Sequence, residues 1–214
     1  MNNGNSSETQ PGLLNPLNAD ELSRLELALD KIGPSWGIAA RLMGRLGLRV
    51  GEVQKLSWKH VEIYPSHDSI IHITSDITKT GYARDLPIPS TLCELIIEQR
   101  HRARAAWFER SQQEAAIAGE TLFLQTPVIQ KNNDERPSVR WMQMLILSTS
   151  KKVIGRRVKP HTLRHTFATR LLQETNIRVV QAALGHRSLR STQIYTHPTM
   201  TDLRDAIEKA GGQD

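Results

Sequence analysis

One short block of β character constrains this chain more than any other feature. Ser69-Ile70-Ile71-His72-Ile73-Thr74 is rich in β-branched residues, and Arg84-Asp85-Leu86-Pro87-Ile88-Pro89 reads as extended. Between them Thr78-Lys79-Thr80-Gly81-Tyr82 has the composition of a turn. Two strands and a turn make an antiparallel hairpin, and an isolated hairpin is at best marginally stable in water. It must therefore pack on the helices that the rest of the chain supplies.

Those helices are legible on both sides of the hairpin. Residues 1–16 are rich in Asn, Ser, Gly and Pro and read as a disordered tail or linker stub. Asn18 with Glu21 three positions on has capping-box spacing, and Leu22, Leu25, Leu27 and Leu29 follow as apolar positions. Pro34 opens a second helix through Ile38, Leu42 and Leu46. Gly47 and Gly51 flank Arg49, and a short third helix carries Val53 and Leu56. After the hairpin, a long charged helix is expected over 90–118, ended by Gly119, and Thr121 to Leu124 reads as a short strand. A helix over 138–153 has Trp141, Met144, Leu145 and Leu147 as its expected core. Three short helices starting near His161, Ile177 and Ser188, and a final amphipathic one over 201–210, complete the chain. The class is mostly α with a small antiparallel β element, and residues 17–214 form one domain.

Composition limits what such a domain does. No apolar run approaches the ~20 residues of a membrane-spanning helix. The one cysteine, Cys93, lies in an apolar run and reads as a core residue, so a reducing, cytoplasmic setting is the default. The net charge of +6 is unevenly spread: residues 138–214 carry a balance of +8 and residues 1–137 one of −2. The positive field sits with the histidines and the tyrosine of the last third, as a surface facing phosphates requires.

Those residues form an ordered set. Gly47-Leu48-Arg49-Val50-Gly51-Glu52 comes first, then His161-Thr162-Leu163-Arg164-His165, then Leu184-Gly185-His186, and nine positions later Tyr195. Attack on a phosphodiester builds charge on its non-bridging oxygens, and preorganised cationic donors stabilise that charge. Arginine suits this role because its planar fork matches phosphate and its charge does not titrate away. Arg49 and Arg164 fit it. His161 and His186 can donate to phosphate or move protons near neutral pH. Lys79, at the hairpin turn, can protonate a leaving oxygen, and Tyr195 can act as nucleophile once its phenol is activated. His161 and His165 have the i, i+4 spacing of a zinc pair. They lack the neighbouring glutamate of His-Glu-x-x-His, and Arg164 stands where a cation is unwelcome, so no metal is assigned.

In this order the motifs resemble the catalytic domain of the tyrosine recombinases, the phage integrase family. Gly47-Leu48-Arg49-x-x-Glu52 is similar to the family's first arginine box. Thr78-Lys79-Thr80-Gly81 followed by Arg84-x-x-Pro87 is similar to its hairpin lysine box. His161-x-Leu163-Arg164-His165-Thr166-Phe167-Ala168, Leu184-Gly185-His186 and Tyr195-Thr196-His197 are similar to the later boxes. The resemblance implies a catalytic set of Arg49, Lys79, His161, Arg164, His186 and Tyr195. Glu52 and His165 would support it, and Arg84 and Lys159 would contact DNA. It implies site-specific cleavage and rejoining of double-stranded DNA through a 3′-phosphotyrosyl bond, without metal or other cofactor. The implied assembly is a homotetramer on DNA from a free monomer, associated with the nucleoid. The C-terminal segment, with Leu203, Ala206 and Ile207 as its apolar face, would dock on a neighbouring protomer or pack on its own domain.

The chain departs from the family pattern in places. Leu46 stands where a threonine is frequent and His60 where an aspartate is frequent. The family's usual N-terminal clamp domain has no counterpart in the short segment before the first helix, as expected of an excised catalytic domain or a short member. Two other functions are consistent with the same residues: DNA relaxation of the type IB topoisomerase kind, and a DNA-binding regulator that keeps the fold without turnover.

Overall fold

A computed structural model describes residues 15–64, 68–78, 82–111, 117–131, 135–185 and 200–211. The first helix, α1 (Ala19–Ile32), starts as expected. The Asn18 side chain accepts from the Glu21 N–H at 2.8 Å, and the Glu21 carboxylate accepts from the Asn18 N–H at 3.1 Å. Leu22, Leu25 and Leu29 are fully buried, whereas Leu27 is exposed. Two residues from either Leu25 or Leu29 is about 200° round a helix, so Leu27 faces water.

Pro34 opens α2 (Pro34–Gly44), which is buried almost throughout and packs on α1. After a turn come α3 (Val50–Lys55) and a 3-10 turn over Trp58–His60. His60 is buried, and its Nδ1 accepts the Ser57 N–H at 3.0 Å. Burial pushes its pKa down, with the nearby Lys59 charge acting the same way.

The hairpin strands are β2 (Ile70–Ile73) and β3 (Arg84–Pro87). A third strand that sequence reading missed, β1 (Val61–Glu62), lies on the other side of β2, giving an antiparallel sheet of order β1-β2-β3. Ile71 pairs with both Val61 and Leu86, and Ile73 pairs with Arg84. Directly opposed residues share a face, so Val61, Ile71, Ile73 and Leu86 form the buried side. His72, Asp85 and Glu62 form the wet side, where His72 Nδ1 lies 2.7 Å from the Asp85 carboxylate.

The helix after the sheet is α4 (Ser90–Ser111), followed by α5 (Ile117–Leu124). Two expectations are corrected here. Gly119 lies inside α5, and Thr121 to Leu124 is helical rather than extended. A short apolar run such as Leu122 to Leu124 does not by itself distinguish a strand from a buried helical turn. Packing decides it: Phe123 is fully buried, stacked on Trp58 with ring centroids 6.1 Å apart and flanked by Trp107.

In α6 (Val139–Val153) the buried face is Met142, Ile146, Thr149 and Ser150. The expected core of this helix is thus displaced: Met144 is exposed, Leu145 and Leu147 are half-buried, and Trp141 lies at the surface against Trp36 with centroids 4.4 Å apart. The last described elements are α7 (Pro160–Glu174), α8 (Ile177–Leu184) and α9 (Met200–Gly211). The helix expected from Ser188 lies outside the described residues. Leu203, Ala206, Ile207 and Ala210 of α9 are buried, and α9 packs on α7, α8 and β3 of its own chain. Cys93 is buried in the core.

No helix among the described residues is long and apolar enough to cross a membrane. The centre of the domain is α7, which packs on α2, α8 and α9 and buries Leu163, Phe167 and Leu171. Each such fully buried side chain stabilises the fold by about 1.5–3 kcal/mol.

Candidate functional site

Glu52 is the hub of the site. It lies on α3 and is 1% exposed. Its carboxylate accepts the Arg49 backbone N–H at 2.8 Å and the Arg49 Nη1 at 3.0 Å. It accepts both terminal nitrogens of Arg84, at 3.1 and 2.8 Å, and the Thr78 hydroxyl at 3.2 Å. Burial alone would raise its pKa. The Arg84 hydrogen bonds and charge, followed by the bonds from Arg49, overrule burial and hold the carboxyl down to about 2.

Arg164 lies on α7 and is also buried. Its Nη1 donates to the Gly47 carbonyl, and its Nη2 donates to the Leu184 carbonyl at 2.6 Å. Gly47 adopts φ +73°, and a Cβ there would sit 2.3 Å from a ring carbon of Phe167. Only glycine lets the chain turn this closely against α7 before Arg49. Burial, and then the like charge of Arg49, push the Arg164 pKa down to about 9, which leaves it charged at neutral pH.

Arg49 is partly open to solvent, with 28% of its side chain exposed. Three arginines thus surround one carboxylate in a mostly buried cluster, with an excess of positive charge. Such a cluster favours an anion at its open side, where Arg49 stands.

The remaining candidates fall in different places. His161 is exposed on the first turn of α7, at the positive end of that helix, and His165 is half-buried further along. Lys159 and Arg157 are exposed just before the helix. Arg84, expected at a DNA surface, is instead in a buried ion pair with Glu52, its side chain 7% exposed. The sheet register explains this. Arg84 is two residues from the buried Leu86 and opposite the buried Ile73, so it points into the domain. Lys79, His186 and Tyr195 lie outside the described residues; the described chain leads up to them at Thr78 and Gly185. Thr78 and the carbonyls of Gly47, Ala183 and Leu184 were not foreseen, and only the parity of Arg84 with Leu86 offered a signal.

A model of the phage integrase family matches residues 16–202. The chain belongs to the phage integrase family. Within this family it is similar to the tyrosine recombinase XerA of Thermococcus kodakarensis, with 31% identity over 195 residues, covering 91% of this chain and 62% of the relative. It is similar to the tyrosine recombinase XerC of Pseudomonas entomophila, with 31% identity over 165 residues, covering 77% of this chain and 48% of that one. The chain therefore spans about half to three fifths of the length of these two phage integrase relatives. Among solved structures, a crystal structure of XerA recombinase superposes with a TM-score of 0.61 at 25% identity, over 94% of this chain and 65% of that one. The mostly helical fold with its small antiparallel sheet is that of the phage integrase catalytic domain.

Proposed function

We propose that this chain is the catalytic part of a site-specific DNA recombinase that cleaves and reseals double-stranded DNA through a phosphotyrosine. The observation that carries the reading is the convergence of Arg49 and Arg164. They are far apart in sequence, yet Arg164 donates to the carbonyl of Gly47, two residues before Arg49. Their charges are close enough to depress the Arg164 pKa. Two guanidiniums held in fixed positions are a preorganised site for the non-bridging oxygens of a phosphodiester.

In the proposed mechanism Tyr195 attacks the scissile phosphorus, its phenolic oxygen forms a new P–O bond, and the bond to the 5′ oxygen breaks. Lys79 supplies a proton to that leaving oxygen. Arg49 and Arg164 hold the non-bridging oxygens, and His161 and His186 complete the set that contacts phosphate and moves protons. Rejoining is the reverse: a 5′ hydroxyl attacks the phosphotyrosine and releases Tyr195. The bond energy stays in the ester, so the cycle draws on no external energy source. Exposed Arg157 and Lys159 would contact the duplex backbone, and the protein would act as a homotetramer on DNA.

The test is a pool of nicked duplexes with random central sequence, in which cleavage beside the nick loses a short fragment and traps the covalent product. A protein–DNA adduct on a denaturing gel is expected, and the trapped DNA reports the site. Absence of any adduct from the native chain overturns the reading, and an adduct that persists in Tyr195→Phe overturns the choice of nucleophile. Relaxation of supercoiled plasmid without strand exchange between two trapped sites would favour the topoisomerase outcome.

A further inference from the structure

The C-terminal end of α8 is held by two arginines on consecutive carbonyls. Leu184 O accepts Arg164 Nη2 at 2.6 Å, and Ala183 O accepts Arg84 Nε at 2.8 Å. The last carbonyls of a helix have no partner within it and carry its negative end, so both contacts are favourable. The next residue, Gly185, has φ +62°, and a Cβ there would lie 3.1 Å from Arg84 Nη1 and 3.2 Å from its Cδ. The chain therefore leaves α8 directly beneath the Arg84 side chain, one residue before His186.

With its two remaining terminal nitrogens, the same guanidinium spans both oxygens of Glu52. One side chain on the first residue of β3 thus joins three segments: the hairpin that carries Lys79, the Arg49–Glu52 segment, and the exit of α8. Lysine cannot make this bridge, since it has a point charge rather than a planar fork of donors.

We propose that Arg84 is a positioning residue of the cleavage site, which keeps Glu52 aimed at Arg49 and fixes the end of α8 that leads to His186. This inference rests on the recombinase reading above. Arg84 itself is buried and acts through these two partners rather than on DNA.

Glu52 is faced by Arg49 at the start of α3, by Thr78 beyond β2, by Arg84 on β3 and, at longer range, by Arg164 on α7. Arg84 is the main cause that keeps its carboxyl low against burial. Without Arg84 the main influence opposing burial is gone, and the carboxyl pKa rises from about 2 toward its ordinary value near 4.5.

The experiment compares the native chain with Arg84→Met and Arg84→Lys. First, the carbon-13 shift of the Glu52 carboxyl is followed from pH 3 to pH 8. The native carboxyl is expected to stay ionised throughout, while in Arg84→Met its midpoint enters the window. Second, adduct formation on the nicked duplex is followed across the same pH range. In Arg84→Met it is expected to fall by about 10–100-fold at neutral pH, the scale of a small misplacement of reacting groups. It should fall further toward low pH, along an acid limb additional to any that the native protein shows. Arg84→Lys keeps the charge but not the bridge, and is expected to lose rate without gaining that limb.

A Glu52 midpoint unmoved in folded Arg84→Met overturns the inference. So does a rate loss of equal size at every pH, or a native rate in Arg84→Lys. If Arg84→Met does not fold, the Arg84→Lys rate decides. If the native chain gives no adduct, the recombinase reading fails, and the Glu52 titration still tests the role of Arg84 separately.

Discussion

The Arg45 guanidinium lies flat against the Glu26 carboxylate, with Nε to Oε1 at 3.0 Å and Nη2 to Oε2 at 2.8 Å, both side chains buried. The same guanidinium donates through Nη1 to the carbonyl of Gly211, the last residue of α9, at 2.9 Å. Arg45 thus ties α1 to the C-terminal helix. Arg45→Ala leaves Glu26 buried with Arg41, whose Nε is 3.6 Å away, as a nearby cation. Removing one partner of a buried ion pair costs about 3–5 kcal/mol, and Arg41 places this case at the lower end. Urea denaturation is expected to show a loss of about 3 kcal/mol, and Arg45→Leu with Glu26→Leu to recover most of it.

Gly47→Ala is expected to cost stability and activity together. A side chain at φ +73° is strained by about 1 kcal/mol, and the Cβ would overlap Phe167, adding about 1–3 kcal/mol of overpacking. The Gly47 carbonyl also holds Arg164, so any local shift moves an arginine proposed to bind phosphate. Thermal unfolding and the adduct assay check the two effects. Gly51→Ala is the control, since a Cβ there meets nothing within 4 Å.

Stability is expected to fall in acid because of Glu52. Its folded-state pKa of about 2 lies below its ordinary value near 4.5. The ionised, paired form therefore stabilises the fold fully above about pH 4.5. That contribution, on the order of 3 kcal/mol, is lost as pH falls from there toward 2. Glu21, held low chiefly by its hydrogen bond from Arg156, acts in the same direction. Urea midpoints at pH 7 and pH 3 measure the loss, and Glu52→Gln is expected to show a smaller difference between them.

Oxyanions are expected to stabilise the native protein. Arg164 is desolvated next to Arg49 and Arg84, and this disfavours its charge in spite of Glu52. A bound oxyanion relieves that repulsion. At a hundred times its dissociation constant, a ligand that binds only the folded state adds about 2.7 kcal/mol, or about 5–10 °C in Tm for a domain of this size. Melting in inorganic phosphate, against sodium chloride at matched ionic strength, is expected to show this shift in the native chain and its loss in Arg49→Gln.

Much of the local structure was legible. The Asn18 and Glu21 cap, the Pro34 start, the two hairpin strands, the boundaries of α6 and the start of α7 follow from short-range chemistry and appear where expected. The errors have a common cause. Thr121 to Leu124 looked like a strand because three consecutive apolar residues carry no usable period, and the pocket around Trp58 and Trp107 made it a helix. Trp141 and Met144 looked like core because they are large and apolar, yet the buried face of α6, which packs on α1 and α3, carries Met142 and Ile146.

The sequence by itself determined which chemistry is available: arginines that do not titrate away, a carboxylate three residues after Arg49, and a hairpin beside them. It also placed the positive charge in the last third of the chain. Only the tertiary structure decided how these residues meet. Arg164 reaches Gly47 across 117 positions and Arg84 reaches Ala183 across 99, and no local propensity encodes such pairs. Strand register turned Arg84 from a surface cation into the buried partner of Glu52, because a period of two leaves a strand residue only two faces to choose from.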